Sequence, residues 1–261
     1  MRFNYTLPVI VGFFILFFAD STKTDSIFKN LDIDIVNKND VERPFAIVQL
    51  FTSQGCSSCP SADKLLEKVK KKYVNKNVVV MSYHVDYWNR LGWKDPFSKK
   101  EYTQLQYKYS AKFNSKSVYT PQAVVNGEVH FVGSSDSKMG TNLSKYLKTS
   151  AENGIVIKKI QQDKNKVSVD YEVSGNTSGK KLKLALVIKK RKTSIGRGEN
   201  GGRVLTNINI VIEEIEVDIK IKSGTLTLNI PDLLESKDAL SVIGFVQQKN
   251  LEITAATQKD I

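Results

Sequence analysis

Residues 45–60, Phe45-Ala46-Ile47-Val48-Gln49-Leu50-Phe51-Thr52-Ser53-Gln54-Gly55-Cys56-Ser57-Ser58-Cys59-Pro60, hold the only two cysteines of the chain. The apolar, β-branched run from Phe45 to Phe51 has the pattern of a strand buried on both faces. A polar loop, Thr52 to Gly55, leads into the C-x-x-C pair. From Pro60 onward Ala62, Leu65, Leu66, Val69 and Tyr73 recur at helical spacing, with lysines on the opposite side. Proline fits there because the first helical turn needs no donor from that nitrogen. Two thiols separated by two residues at a helix start can close a small disulfide ring, and the helix end favours the thiolate of the first. Half of a zinc site has the same spacing, but a structural zinc needs four ligands and the only histidines are His84 and His130, so zinc is disfavoured.

The next apolar run, Val78 to Tyr83, ends at His84. Strand, helix and strand in this order predict a right-handed crossover with parallel strands. Ligand and catalytic groups of such sheets gather at the carboxyl ends of the strands, so Cys56 and His84 should both lie near that edge. Beyond an aromatic loop, Asp86 to Lys94, Asp95 and Pro96 read as the N-cap and first residue of a helix reaching about Phe113, with Tyr102, Leu105, Tyr109 and Phe113 on one side. Tyr119-Thr120-Pro121 then opens a strand, Gln122 to Val125. Asn126-Gly127 is a hairpin signal before Glu128 to Val132, and residues 136–151 read as a helix. His130 reads as a surface residue.

From Ile155 the texture changes to alternation, as in Val167, Val169, Tyr171, Val173 and Leu182, Leu184, Leu186, Ile188. Short strands with Gly, Asn and Ser turns suggest an antiparallel sandwich without cysteine or histidine. The apolar phase slips by one residue at Glu213-Glu214, which predicts a bulge or tight turn.

At the other end, a positive charge at Arg2 precedes an apolar stretch from Leu7 to Ala19 that breaks at Asp20. This reads as a signal peptide, 1–19, followed by a polar leader or edge segment, 20–43. The stretch is shorter than the roughly 20 residues a bilayer crossing needs. Phe17-Phe18-Ala19 lacks small residues at both preferred cleavage positions, so an uncleaved tether stays open as an alternative, and with it membrane contact through this segment alone. Export to the periplasm or outside the cell would put the cysteines where disulfides persist or are shuffled. The net charge of +12 comes from lysines spread over many segments, enriched at Lys64–Lys76 and Lys180–Lys192. Solvated faces account for both, and no aromatic-interleaved basic motif points to nucleic acid.

The order of elements between residues 44 and 153 resembles the thioredoxin fold. More closely, Thr52-Ser53-Gln54-Gly55-Cys56-Ser57-Ser58-Cys59-Pro60, His84-Val85-Asp86-Tyr87-Trp88, Leu91-Gly92-Trp93, Tyr119-Thr120-Pro121 and, further on, Arg197-Gly198-Glu199-Asn200 with Gly202-Arg203 look like an exported thioredoxin-like family of unknown function. The resemblance implies an α/β thioredoxin-like domain, 44–153, followed by an all-β sandwich-like domain, 155–261. It further implies a cis bond before Pro121, with that proline facing the cysteines. Thioredoxins usually carry a buried acid six residues before the first cysteine and a tryptophan directly before the motif. Here those positions are Leu50 and Gly55, and Asp63 or Asp86 could take the acid's place.

On this reading Cys56 is the nucleophile, more exposed and of lower pKa, and Cys59 resolves the mixed disulfide. Their redox-active disulfide needs no other cofactor, and the partners are extracytoplasmic thiol or disulfide proteins. Thr120 and Pro121 shape a groove for an extended substrate, with His84, Asp86, Trp88 and Trp93 as its rim. The alternatives differ in kind. His84 could lower the thiol pKa, act as a proton relay, join Cys56 and Cys59 as a copper(I) ligand in a copper-binding or copper-delivery protein, or simply hydrogen-bond the Asp86–Trp93 loop. The pair could also be a structural disulfide in a non-enzymatic binding module, and the aromatic loop could be packing. The Arg197–Arg203 loop binds an anion, docks the two domains through Glu199 or, most simply, is a polar, glycine-rich turn with internal hydrogen bonds.

Overall fold

Strand β1 (Ala46–Thr52) is buried along its whole length, as its unbroken apolar run requires. In the computed structural model, which describes residue 1 and residues 43–261, it lies inside a mixed sheet. The expected signal peptide and nearly all of the leader fall outside the described residues. Helix α1 (Cys59–Lys72) follows with Cys59, Ala62, Leu65, Leu66 and Val69 inward and three lysines in its last turn, where they complement the helix dipole. Strand β2 (Val78–His84) then pairs parallel to β1 in a register that sets Thr52 opposite His84. The predicted crossover is therefore present, and both carboxyl ends share one edge.

Helix α2 (Lys100–Lys112) begins four residues later than Asp95-Pro96 predicted. Asp95 caps a turn instead, accepting the Phe97 amide at 3.0 Å, while Lys99 bridges to Val85 and donates its amide to the His84 carbonyl. Residues 95–99 are thus held beside β2, and the helix starts only where that pairing ends. The hairpin of β3 (Gln122–Val125) and β4 (Val129–Val132) pairs through β3 antiparallel to β1. Helix α3 (Asp136–Tyr146) ends before the predicted residue 151 and buries Met139, Leu143 and Tyr146.

The remainder is strand: β5 (Asn153–Asp163), β6 (Lys166–Gly175), β7 (Lys181–Ser194), β8 (Val204–Asp218), β9 (Ser223–Asn229), β10 (Leu240–Gln247) and β11 (Ile253–Asp260). The eight-stranded sheet has the order β11-β10-β7-β8-β2-β1-β3-β4. The texture change near residue 155 separates the helix-bearing part from the all-β part, yet one sheet runs through both. Their junction is a single parallel pairing, Ser82 with Ile210. It is reinforced by Ser82 Oγ donating to the Ile208 carbonyl at 3.0 Å and Asn209 Nδ2 donating to the Val80 carbonyl at 2.6 Å. The three-stranded sheet β5-β6-β9 packs on the far half, where Val167, Val169 and Leu228 meet Leu182, Leu184 and Val242. The alternation of β7 serves this arrangement, sending Leu182, Leu184 and Leu186 to one face and Ala185 and Val187 to the other. The slip in β8 is a bulge: Leu186 faces Glu213 and Val187 faces Val211, leaving Ile212 as the extra residue. The described residues are thus mostly β, with three α-helices and one short 3-10 helix confined to their first half. No helix among the described residues is long and apolar enough to cross a membrane.

Candidate functional site

Cys56 and Cys59 form a disulfide at the start of α1. The connecting turn is held by the Cys56 amide on the Ser53 carbonyl and the Cys59 amide on the Cys56 carbonyl. Cys56 was expected to be the more exposed of the two, but neither cysteine has any exposed surface, while Ser57 and Ser58 between them are exposed. The cover is specific. Thr120 Oγ1 donates to Cys56 Sγ at 3.3 Å and itself accepts from Trp88 Nε1 at 2.8 Å. Ser58 Oγ donates to the Thr120 carbonyl at 3.4 Å. The Thr120–Pro121 peptide bond is cis, as the resemblance implied, and Pro121 is buried.

The other side of the turn is closed by the tip of the β7–β8 hairpin, which arrives from more than 140 residues away. Glu199 Oε2 accepts the Ser57 amide at 3.0 Å, placing a carboxylate at the amino end of α1. Asn200 Nδ2 donates to the carbonyls of Gln54 and Cys56, each at 2.9 Å, and is braced by Arg203. Gly198 is required here: its φ is +80°, and an added Cβ would stand 3.2 Å from the Trp93 Cβ. Trp93 Nε1 in turn donates to Gln54 Oε1 at 3.1 Å. The Arg197–Arg203 loop is thus a turn with internal hydrogen bonds, such as that from the Gly201 amide to the Gly198 carbonyl, and it also docks through Glu199.

Behind the disulfide lies a buried polar cluster. His84 Nδ1 donates to Asp95 Oδ2 at 2.7 Å, and the same oxygen accepts the Gln54 amide at 2.8 Å. Burial works against a charged His84, but the Asp95 carboxylate beside it, with Asp63 farther off, raises its pKa. Asp63 takes a hydrogen bond from Thr52 Oγ1 at 3.3 Å; burial pushes its carboxyl up to about 7, against the downward pull of His84. Gln54 Nε2 donates to Asn207 Oδ1 at 3.2 Å. Among the described residues, His84 Nε2, Asn207 Nδ2, Tyr87 Oη and Gln106 Oε1 are buried without a hydrogen-bond partner.

The expected site residues therefore divide. Thr120 reaches Cys56, Trp88 reaches Thr120, and Pro121 follows Thr120. His84 sits deeper, engaged by Asp95. Asp86 points elsewhere: its carboxylate accepts from Thr103 Oγ1 at 2.6 Å and its amide donates back, tying the aromatic loop to α2. His130, expected at the surface, is half-buried and stacked on Phe113 at 4.6 Å. No three His, Cys, Asp or Glu side chains among the described residues converge as a metal-holding group, the trio Cys56, Cys59 and His84 included. Asp95, Gln54, Asn207 and Asn200 carry no site role of their own in the sequence, and Glu199 carries only that of docking its loop. Asp63 was expected only as one of two candidates, with Asp86, for the place of the acid that thioredoxins carry.

Residues 47–247 match the family described as a protein of unknown function, DUF1223, and the chain belongs to that family. No curated protein matches. The crystal structure of protein AGR_C_4864 from Agrobacterium tumefaciens is 28% identical, covering 82% of this chain and 92% of its own, with a TM-score of 0.62. HBP35 of Porphyromonas gingivalis is 16% identical over 84% of this chain and 76% of its own, with a TM-score of 0.63, a likeness of fold alone.

Proposed function

We propose that this member of the family is an exported, thioredoxin-like thiol–disulfide oxidoreductase acting on protein or small thiols outside the cytoplasm. The observation that carries the reading is the position of the disulfide at the amino end of α1, with Cys56 Sγ held by Thr120 next to Pro121. A helix start stabilises thiolate at Cys56, which favours it as attacking and leaving group. A staple is the weaker account, because a ring closed over two intervening residues removes little chain entropy. Export rests on the charged and apolar N-terminal segment.

Because both sulfurs are covered, a partner thiol reaches Cys56 only when the Trp88–Thr120 contact or the hairpin tip yields. An extended partner segment would then lie along Thr120. The reading predicts that the reduced protein has an alkylatable Cys56 of depressed pKa and that Cys59→Ser traps mixed disulfides with partner proteins. A pair that stays unreactive under mild reductant sinks it.

A further inference from the structure

The peptide unit between Cys56 and Ser57 is gripped at both ends by two neighbouring residues of the β7–β8 hairpin tip. Glu199 Oε2 accepts its N–H at 3.0 Å, and Asn200 Nδ2 donates to its carbonyl at 2.9 Å. Asn200 is fully buried and Glu199 is exposed, so the first fixes the turn and the second leaves a charge on it. The grip also decides what remains for the sulfur. A thiolate at Cys56 draws on the free amides of the helix start. Of these, the Ser57 amide is held by the carboxylate and the Cys59 amide by the Cys56 carbonyl. Against the sulfur itself stand two hydroxyls, those of Thr120 at 3.3 Å and Ser58 at 3.4 Å.

We propose that Glu199 is a positioning residue for thiol–disulfide exchange: its carboxylate, delivered by the all-β half onto the Ser57 amide, opposes the Cys56 thiolate and lowers the reduction potential of the cysteine pair. The proposal rests on the exchange reaction above and gives the all-β half a part in it. The sign follows from which state carries charge. The disulfide is neutral, whereas the reduced pair carries its charge at Cys56. A neighbouring carboxylate therefore costs the reduced state and leaves the disulfide untouched. The other charged groups around the turn are Arg197 and Arg203 on the hairpin, the latter donating to Asn200 Oδ1 at 2.6 Å, with His84, Asp95 and Asp63 behind. They stay in place when Glu199 alone is changed.

In exchange with glutathione, one glutathione thiolate attacks Cys56 Sγ and the Cys56–Cys59 bond breaks. Its electron pair goes to Cys59 Sγ, which takes a proton from solvent. A second glutathione thiolate attacks the glutathione sulfur of the mixed disulfide, and Cys56 leaves as thiolate. Two glutathione thiols are oxidised to one disulfide and the cysteine pair is reduced. The full chain, equilibrated with glutathione buffers of graded ratio, gives the constant for this exchange. Glu199→Gln keeps an oxygen for the Ser57 amide while removing the charge. Above the pH midpoint of Cys56 alkylation, its constant is expected to rise about threefold toward the reduced pair, a potential about 14 mV less negative. That midpoint should itself fall, and both differences should shrink in about 1 M salt, where charges are screened beyond about 3 Å. Faster exchange with constant and midpoint unchanged, the sign of a merely loosened hairpin, would overturn the proposal, as would no change at all or a difference that salt leaves intact. A disulfide that equilibrates with glutathione in neither protein would instead defeat the exchange reaction itself.

Discussion

His84 meets the ring of Phe97 edge to face at 5.4 Å, and Arg191, from β7, lies over the same ring at 5.4 Å. Both are buried, yet their surroundings differ in kind. Arg191 is matched on all sides: Nε donates to Asp238 Oδ1 at 2.7 Å, Nη2 pairs with Asp238 Oδ2, and Nη1 pairs with Glu235 at 2.9 Å. Its charge is permanent, and the fork of donors fits the carboxylates. His84 has one carboxylate, one unpaired nitrogen and a second carboxyl, Asp63, whose proton is loosely held near neutrality. The all-β half uses buried charge to fix a shape; the helix-bearing half keeps buried groups that change charge.

That contrast can be broken by experiment. The largest expected effect is Arg191→Met, which leaves Asp238 buried without its cation and should cost about 3–5 kcal/mol in urea unfolding. A loss near zero would remove the structural role given to this cluster.

Asp95→Ala should cost about 3 kcal/mol at pH 6, with an added pH signature. His84 has its pKa raised in the folded state, so the stability it draws from Asp95 is fully present below the ordinary value and is lost as pH rises through the raised one. The cost of Asp95→Ala should therefore shrink toward alkaline pH, whereas that of Arg191→Met stays flat. Parallel profiles for the two variants would erase the distinction.

Opening the disulfide should change stability by only about 2 kcal/mol, the chain-entropy value for so small a ring. Thermal or urea unfolding with and without reductant measures it, and a much larger loss would favour the staple. Smallest is Thr120→Val, expected to cost about 1 kcal/mol through the hydrogen bonds to Trp88 and Cys56. It should also make Cys56 react faster with reductant, and an unchanged rate would show that this contact is not the cover.

Much of the site's frame was legible in the chain. The buried run of β1, the helix start at Cys59, the parallel return through β2 and the proline before β3 follow from patterns confined to a few neighbouring residues. Even the bulge of β8 showed as a phase slip. Asp95 was misread because Asp-Pro is a good local helix opening, while its carboxylate is claimed by Gln54 and His84. The exposure expected of Cys56 failed because the residues that cover it are far away in sequence. Asp86, expected on the rim around the cysteines, is held by a threonine of α2 instead.

By itself, then, the sequence determined where the cysteines stand on a strand–loop–helix unit, since strand, cap and helix signals act over single turns. Tertiary structure alone decided that one sheet runs through both halves, that Glu199 and Asn200 close over the disulfide, and that Asp63, His84 and Asp95 share one buried pocket of charge. Burial and the pKa values it shifts depend on what arrives from distant strands, such as a β8 that meets β2 at a single pair. No local pattern encodes that arrival.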